Sequence, residues 1–176
     1  MSKFSTRKIA FAALVAAVYA ALTMINPWGY GPVQFRISEL LCILPFFFPY
    51  SVWGLFVGCI LSNLISAYGL YDVVFGSLAS LLAGFCTMQL GKIRPQSLLT
   101  KALACLPPVI FNALIIGGVI VLSASTPGET YWFTALTVGL GEAVVLYVLG
   151  LPAMVLLPKS AFFRTLQSLY AKEIEQ

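Results

Sequence analysis

Between Ile9 and Pro158 the chain runs for 150 residues with only eight charged side chains, and that scarcity limits what it can fold into more than any motif does. A soluble domain carries roughly 25% charged residues, whereas 9% of these 176 residues are charged, 60% are hydrophobic and the mean hydropathy is +0.96. So small a soluble globule has too much surface to cover with so few ions. An ordinary soluble enzyme, a disordered tail and a nucleic-acid module are thereby disfavoured, and a compact polytopic membrane protein is expected, organised as one membrane domain over residues 1–176.

The apolar runs place six crossings near 9–25, 37–50, 52–67, 73–90, 102–122 and 132–157. The second is too short to span alone unless it reaches back through Ile37, and Pro45 is where it would bend. Gly150 and Pro152 predict a kink or tilt late in the sixth. The N-terminal Lys3, Arg7 and Lys8 before an apolar run resemble a signal peptide, but the run is long enough to span and is expected to stay.

The ten basic residues then give direction. Lys3, Arg7 and Lys8 precede the first run, Lys92, Arg94 and Lys101 separate the fourth from the fifth, and Lys159, Arg164 and Lys172 follow the sixth. Six crossings put all nine on the cytoplasmic side with both termini, leaving Arg36 alone on the outer face. That face also carries Trp28, Tyr30, Glu39, Tyr68, Tyr71, Asp72, Glu129, Tyr131 and Trp132. An interfacial aromatic belt accounts for many of these, but not for ions at the membrane edge.

Cys42, Cys59, Cys86 and Cys105 lie in or at the rim of apolar runs without a pairing motif and read as small hydrophobic residues. There is no His, which weakens proton relays and transition-metal chemistry. Arg36 and Glu39 are three apart at a helix start and suit either a structural pair or a ligand contact. Asp72, after Gly69, suits a helix N-cap or a site. Asn63, Asn112 and Glu142 sit inside apolar runs, where each needs a partner, and an intramembrane carboxylate nominates a site by default. The loop NPWGYGPVQFRISE, 26–39, is rich in turn residues around Trp28 and Tyr30 and reads as a lid. In the first run, Ala12, Ala13, Ala16, Ala17 and Ala20 form a smooth face for close helix approach, either within the bundle or to another membrane protein. Acids, amides and aromatics together suit a small, flat, polar nutrient bearing hydrogen-bond donors. No phosphate loop or nucleophile arrangement accompanies them, so ATP would be used by another subunit.

These residues resemble a family. QFRISELLCILPFFFP (34–49), GLFVGCILSNLIS (54–66), GLYDVVFGSLASLLA (69–83), PPVIFNALIIG (107–117) and VGLGEAVVLYVLGLP (138–152), with the Ala-rich first helix, are similar to the S components of energy-coupling factor (ECF) vitamin transporters, specifically the queuosine-precursor (QueT) members. The resemblance implies an all-α bundle of six membrane helices with both termini cytoplasmic, in a prokaryotic cell membrane. It also implies a transport subunit rather than an enzyme, with no cofactor of its own and ATP and Mg used by partners. Those partners are a transmembrane scaffold (T component) and two ATPases, with no nucleic acid involved. By resemblance Ala12, Ala16 and Ala20, with Ala13 and Ala17, dock on the scaffold, and Trp28 and Tyr30 belong to the gate over residues 26–38. Arg36, Glu39, Asn63, Asp72, Asn112 and Glu142 line a pocket for a 7-deazapurine such as queuine or its aminomethyl precursor preQ1. Capture outside, toppling in the bilayer and release inside is the implied cycle. An S component for another vitamin or nucleobase, a standalone secondary transporter and, last, a membrane enzyme are the competing readings.

Overall fold

Hydrocarbon offers backbone groups no partners, so long apolar runs satisfy their own hydrogen bonds as helices. A computed structural model describes residues 6–26, 35–123 and 130–172. Seven helices follow one another there: α1 Thr6–Met24, α2 Ile37–Phe46, α3 Ser51–Asn63, α4 Gly69–Leu90, α5 Leu98–Ser123, α6 Tyr131–Lys159 and α7 Ala161–Lys172. The fold is all-α, and α1, α4, α5 and α6 are long and apolar enough to cross a membrane; this is a multi-pass membrane protein. The expected count of six helices is thus corrected to seven among the described residues. The addition, α7, is amphipathic: Phe163 is buried while Phe162 and Leu169 face outwards. A search for uninterrupted apolar runs passes over such an element.

The two short helices have different physical origins. α2 is a 3₁₀-helix of ten residues with Pro45 inside it, and at about 2.0 Å per residue it is about 20 Å long. α3 has thirteen residues and at about 1.5 Å per residue reaches a similar length. The longer helices carry internal π-helical turns at Asp72–Gly76 in α4, Asn112–Ile116 in α5 and Val144–Gly150 in α6. The last ends at Gly150, two residues before Pro152.

α1 packs along α3, and α3, α4, α5 and α6 follow in neighbouring order, while α2 touches α1, α3, α4 and α6. The α1–α3 contact depends on two glycines four apart. A Cβ on Gly54 would lie 2.5 Å from the Ala12 carbonyl oxygen, and one on Gly58 would lie 2.8 Å from that of Ala16. This spacing of small residues lets two backbones approach closely. Ala16 and Ala20 are buried in the bundle, whereas Ala13 and Ala17 stay exposed beside Leu14 and Val18.

The helices define two chemically different ends. At one, Lys8 lies over the Tyr50 ring at 4.8 Å from its centroid, and the Tyr50 backbone N–H donates to the Tyr170 hydroxyl at 2.9 Å. Arg7 with Lys8, and Lys92 with Arg94, line clefts that adjoin Tyr170. Gly91 seals this end, since a Cβ there would come 2.3 Å from the Phe46 carbonyl oxygen. Arg36, Asn63 and Asp72 lie at the other end, so α2 and α3 run between the same two ends as their longer neighbours. Along the helices, Leu61, Leu114, Leu136, Leu140 and Val148 face outwards while Glu39, Asn63, Asp72 and Glu142 are buried.

Gly58→Leu is expected to destabilise the bundle by about 1–3 kcal/mol through overpacking against α1, read as a lower thermal-unfolding midpoint of the detergent-solubilised chain. Gly118→Ala, whose Cβ would have its nearest neighbour at 3.7 Å, should stay within about 0.5 kcal/mol of the parent. An unchanged midpoint for Gly58→Leu would show that the close α1–α3 approach is not what holds the pair together.

Candidate functional site

Glu39 enters the bundle because α2 is a 3₁₀-helix. Residues three apart eclipse one another in that geometry, so Glu39, Cys42 and Pro45 form one inward stripe, with Arg36 as the extended residue just before the helix. The Cys42 thiol donates to Glu39 Oε2 at 2.9 Å, and the Tyr19 hydroxyl from α1 donates to Glu39 Oε1. Thr23, one turn along α1, donates to the Ser38 hydroxyl at 2.6 Å and so fastens the start of α2 to α1. Just outside, the Asn26 side-chain amide donates to the Phe35 carbonyl at 2.6 Å and closes the base of the loop that separates α1 from α2.

Arg36 reaches α4, where its Nη2 lies 3.2 Å from Asp72 Oδ2, with 4% and 0% of the two side chains exposed. The same carboxylate oxygen accepts from the Ser66 hydroxyl at 2.6 Å. Asp72 does not cap α4: the helix begins at Gly69, whose φ of +62° suits a residue without a side chain. Asp72 lies one turn inside, where the π-helical stretch opens. Asn63, the last residue of α3, donates its amide to the Asp72 backbone carbonyl at 2.9 Å and to Cys59 Sγ at 3.4 Å. Gly76 makes room for both, since a Cβ there would lie 2.6 Å from Asn63 Nδ2 and 2.8 Å from Asp72 Oδ1.

Glu142 of α6 completes the cluster, its carboxyl facing Glu39 of α2 and Asn112 of α5 and lying within the field of Arg36. Each long helix of this group irregularly winds beside its polar residue: Asp72 and Asn112 begin π-helical turns, and Glu142 stands two residues before one. Such turns are frequent where a side chain must be re-aimed at a functional site.

Five buried side-chain oxygens lack a partner among the described residues: Ser77 Oγ, Ser123 Oγ and three in this cluster. Asn63 Oδ1, Asp72 Oδ1 and Glu142 Oε1 are buried acceptors with no partner among the described residues. The orientation of the Asn63 amide is set by its donation to Asp72, so its oxygen is the atom left over. A buried acceptor without a donor costs about 1–3 kcal/mol; Asn63 and Asp72 place theirs on the neighbouring α3 and α4 and Glu142 on α6, which packs on α5 and α2, and acceptors of this kind suit a ligand rich in N–H groups. Among the described residues no three of Cys, Asp and Glu gather in a metal-holding group.

The structure thus brings Arg36, Glu39, Asn63, Asp72, Asn112 and Glu142 to one end of the bundle. Trp28 and Tyr30 lie outside the described residues. Tyr19, Cys42, Ser66 and Gly76 join the cluster without having been anticipated. Tyr19 alone had a legible signal, because a phenol deep in an otherwise Ala- and Val-rich helix needs a polar partner. Cys42 and Cys59 are hydrogen-bonding members of the cluster as well as small core residues, whereas Cys105 packs beside Met154.

A family model described as QueT transporter matches residues 9–159. Over 85 residues the chain is 39% identical to the queuosine precursor transporter QueT of Lactococcus lactis subsp. cremoris, an alignment covering 47% of this chain and 50% of the relative. The chain therefore spans about half the length of that curated relative. No solved structure matches the chain. The polar cluster and the apolar helices that carry it fall within the matched residues, and the chain belongs to the QueT transporter family.

Proposed function

We propose that this chain is the substrate-binding membrane subunit of an ECF-type importer, capturing a queuosine precursor such as queuine or preQ1 at the outer face. The observation that carries the reading is the set of three buried, unpartnered acceptors, Asn63 Oδ1, Asp72 Oδ1 and Glu142 Oε1. A 7-deazaguanine base presents ring N–H and 2-amino donors on one edge, and an aminomethyl precursor adds an ammonium. Carboxylates accept from both with charge-assisted bonds. In this reading Glu142 takes a ligand donor directly, while Asp72, already engaged with Arg36 and Ser66, offers its second oxygen. The name of the Lactococcus relative supports the substrate class.

Orientation follows from charge. The end carrying Arg7, Lys8, Lys92 and Arg94 faces the cytoplasm by the positive-inside rule, with both termini there and six crossings in all, α2 and α3 included. The Arg36–Asp72 end then opens outside, and the loop bearing Trp28 and Tyr30 gates it. The chain carries no catalytic role: ATP and Mg serve two separate ATPases, coupled through a membrane scaffold, and the loaded subunit topples in the bilayer to release its cargo. Docking falls to α1. Since Ala16 and Ala20 pack within the bundle, the surface for the scaffold centres on Ala13 and Ala17, with Ala12 at its edge.

Calorimetric titration of the purified chain with queuine and its aminomethyl and cyano precursors, without ATP, should show tight binding to at least one; heatless titrations with all three would overturn the substrate class. Glu142→Gln is expected to weaken that binding about tenfold to a hundredfold while leaving the unfolding midpoint near the parent's. Asp72→Asn should lower both, because it also leaves buried Arg36 short of a counter-charge.

A bulky residue at Ala17 should abolish copurification with the scaffold and leave calorimetric affinity intact. Loss of affinity with retained copurification would show that this face belongs to the ligand site instead. Accumulation of the base by proteoliposomes holding only this chain and an ion gradient would identify a standalone carrier.

A further inference from the structure

A second site lies at the opposite end of the bundle. The turn between α4 and α5 is held in one place: Gly91 sits against the Phe46 carbonyl with no room for a Cβ, and its own carbonyl accepts from Arg94 Nη1 at 3.2 Å and Gln96 Nε2 at 3.1 Å. Between this turn, the end of α2 and α7 is a cavity of about 350 Å³. Its walls are of two kinds. Phe47 and Met88 supply apolar surface, while Lys92, Arg94 and Gln96 supply cations and an amide at the rim. Neither Lys92 nor Arg94 is ion-paired with an acid among the described residues.

We propose that this cavity binds the phosphate headgroup of an anionic phospholipid in the leaflet at the basic end of the protein. A phosphate is the common chemistry of a lipid headgroup and a free anion, and the cavity's setting selects the lipid. Leu98, Leu99 and Phe162 are 63%, 69% and 78% exposed in the segments that continue from the turn and into α7, so the rim stands at the level where acyl chains meet headgroups. An amphiphile matches both the apolar wall and the two cations; a free phosphate leaves Phe47 and Met88 wet. The companion cleft on the far side of Tyr170, about 170 Å³ and lined by Arg7 and Lys8, is less suited, because the Lys8 ammonium is already stacked on Tyr50. The site is separate from the nutrient pocket and does not depend on the identity of the imported base.

Native mass spectrometry of the full chain, released from mixed micelles of phosphatidylglycerol and phosphatidylcholine, reads the preference directly. The parent is expected to retain phosphatidylglycerol selectively, and K92Q/R94Q to lose on the order of 25-fold in that selectivity, about fivefold per cation. K159Q/R164Q removes the same charge from residues that do not line the cavity and should keep the preference. Met88→Trp fills the apolar wall with both cations in place and should also release the lipid, which separates a built site from general charge attraction. Equal losses in the two double variants, or no preference in the parent, would overturn the proposal. Displacement of the lipid by millimolar inorganic phosphate would overturn it too, by assigning the cavity to a free anion.

Discussion

The buried pair of Arg36 and Asp72 is the interaction around which the rest of that end of the bundle is arranged. Two ions held away from water lose hydration worth several kcal/mol each, and recover it only with good geometry and further hydrogen bonds. Ser66 supplies such a bond to the Asp72 carboxylate, and Asn63 fixes the Asp72 backbone carbonyl. The pair also ties the start of α2 to the turn that carries the chain from α3 into α4. Glu39 is then left to Tyr19 and Cys42, and Glu142 faces Glu39 and Asn112 with its Oε1 unpartnered among the described residues.

Much of this was legible because hydrocarbon makes polar residues conspicuous. A charge or amide inside an apolar run stands out by its cost, which singles out Asn63, Asn112 and Glu142, while Arg36 and Asp72 stand out as ions at the membrane edge. Their pairing was not legible. Arg36 and Glu39 are close in sequence, and only the path of the chain shows that Arg36 crosses to a carboxylate 36 residues away. The 3₁₀ winding of α2 that delivers Cys42 to Glu39 has no periodic signature, since nearly every position in that stretch is apolar. The π-helical turns were equally hidden, as they are set by how the helices pack and not by any residue that breaks a pattern. The small-residue face of α1 had two readings, and the glycines of α3 explain why it divides: Ala16 and Ala20 meet Gly58 and its neighbours, while Ala13 and Ala17 look outwards.

The amphipathic α7 illustrates a different blind spot. Its apolar residues are too sparse for a spanning segment, yet Phe163 and Tyr170 stack edge-on against Phe47, Phe48 and Tyr50. This aromatic cluster ties the C-terminal helix to the α2–α3 turn, and its position near the basic residues makes that end of the bundle a rigid platform. The polar cluster and the cationic end are thus built by different chemistry at opposite ends of one set of helices.

The shortness of α3 has a consequence for the surrounding bilayer. Its outward row of Trp53, Val57 and Leu61 belongs to a helix of thirteen residues, whereas α5 and α6 have 26 and 29. The helices therefore present a girdle of unequal height, about 20 Å along α3 and about 40 Å along α5 and α6, against a roughly 30 Å hydrocarbon thickness. Lipids must thin on one flank while the long helices tilt on the other, each at fractions of a kcal/mol per ångström of mismatch. A body wedged asymmetrically in this way has no symmetric resting posture in a flat membrane.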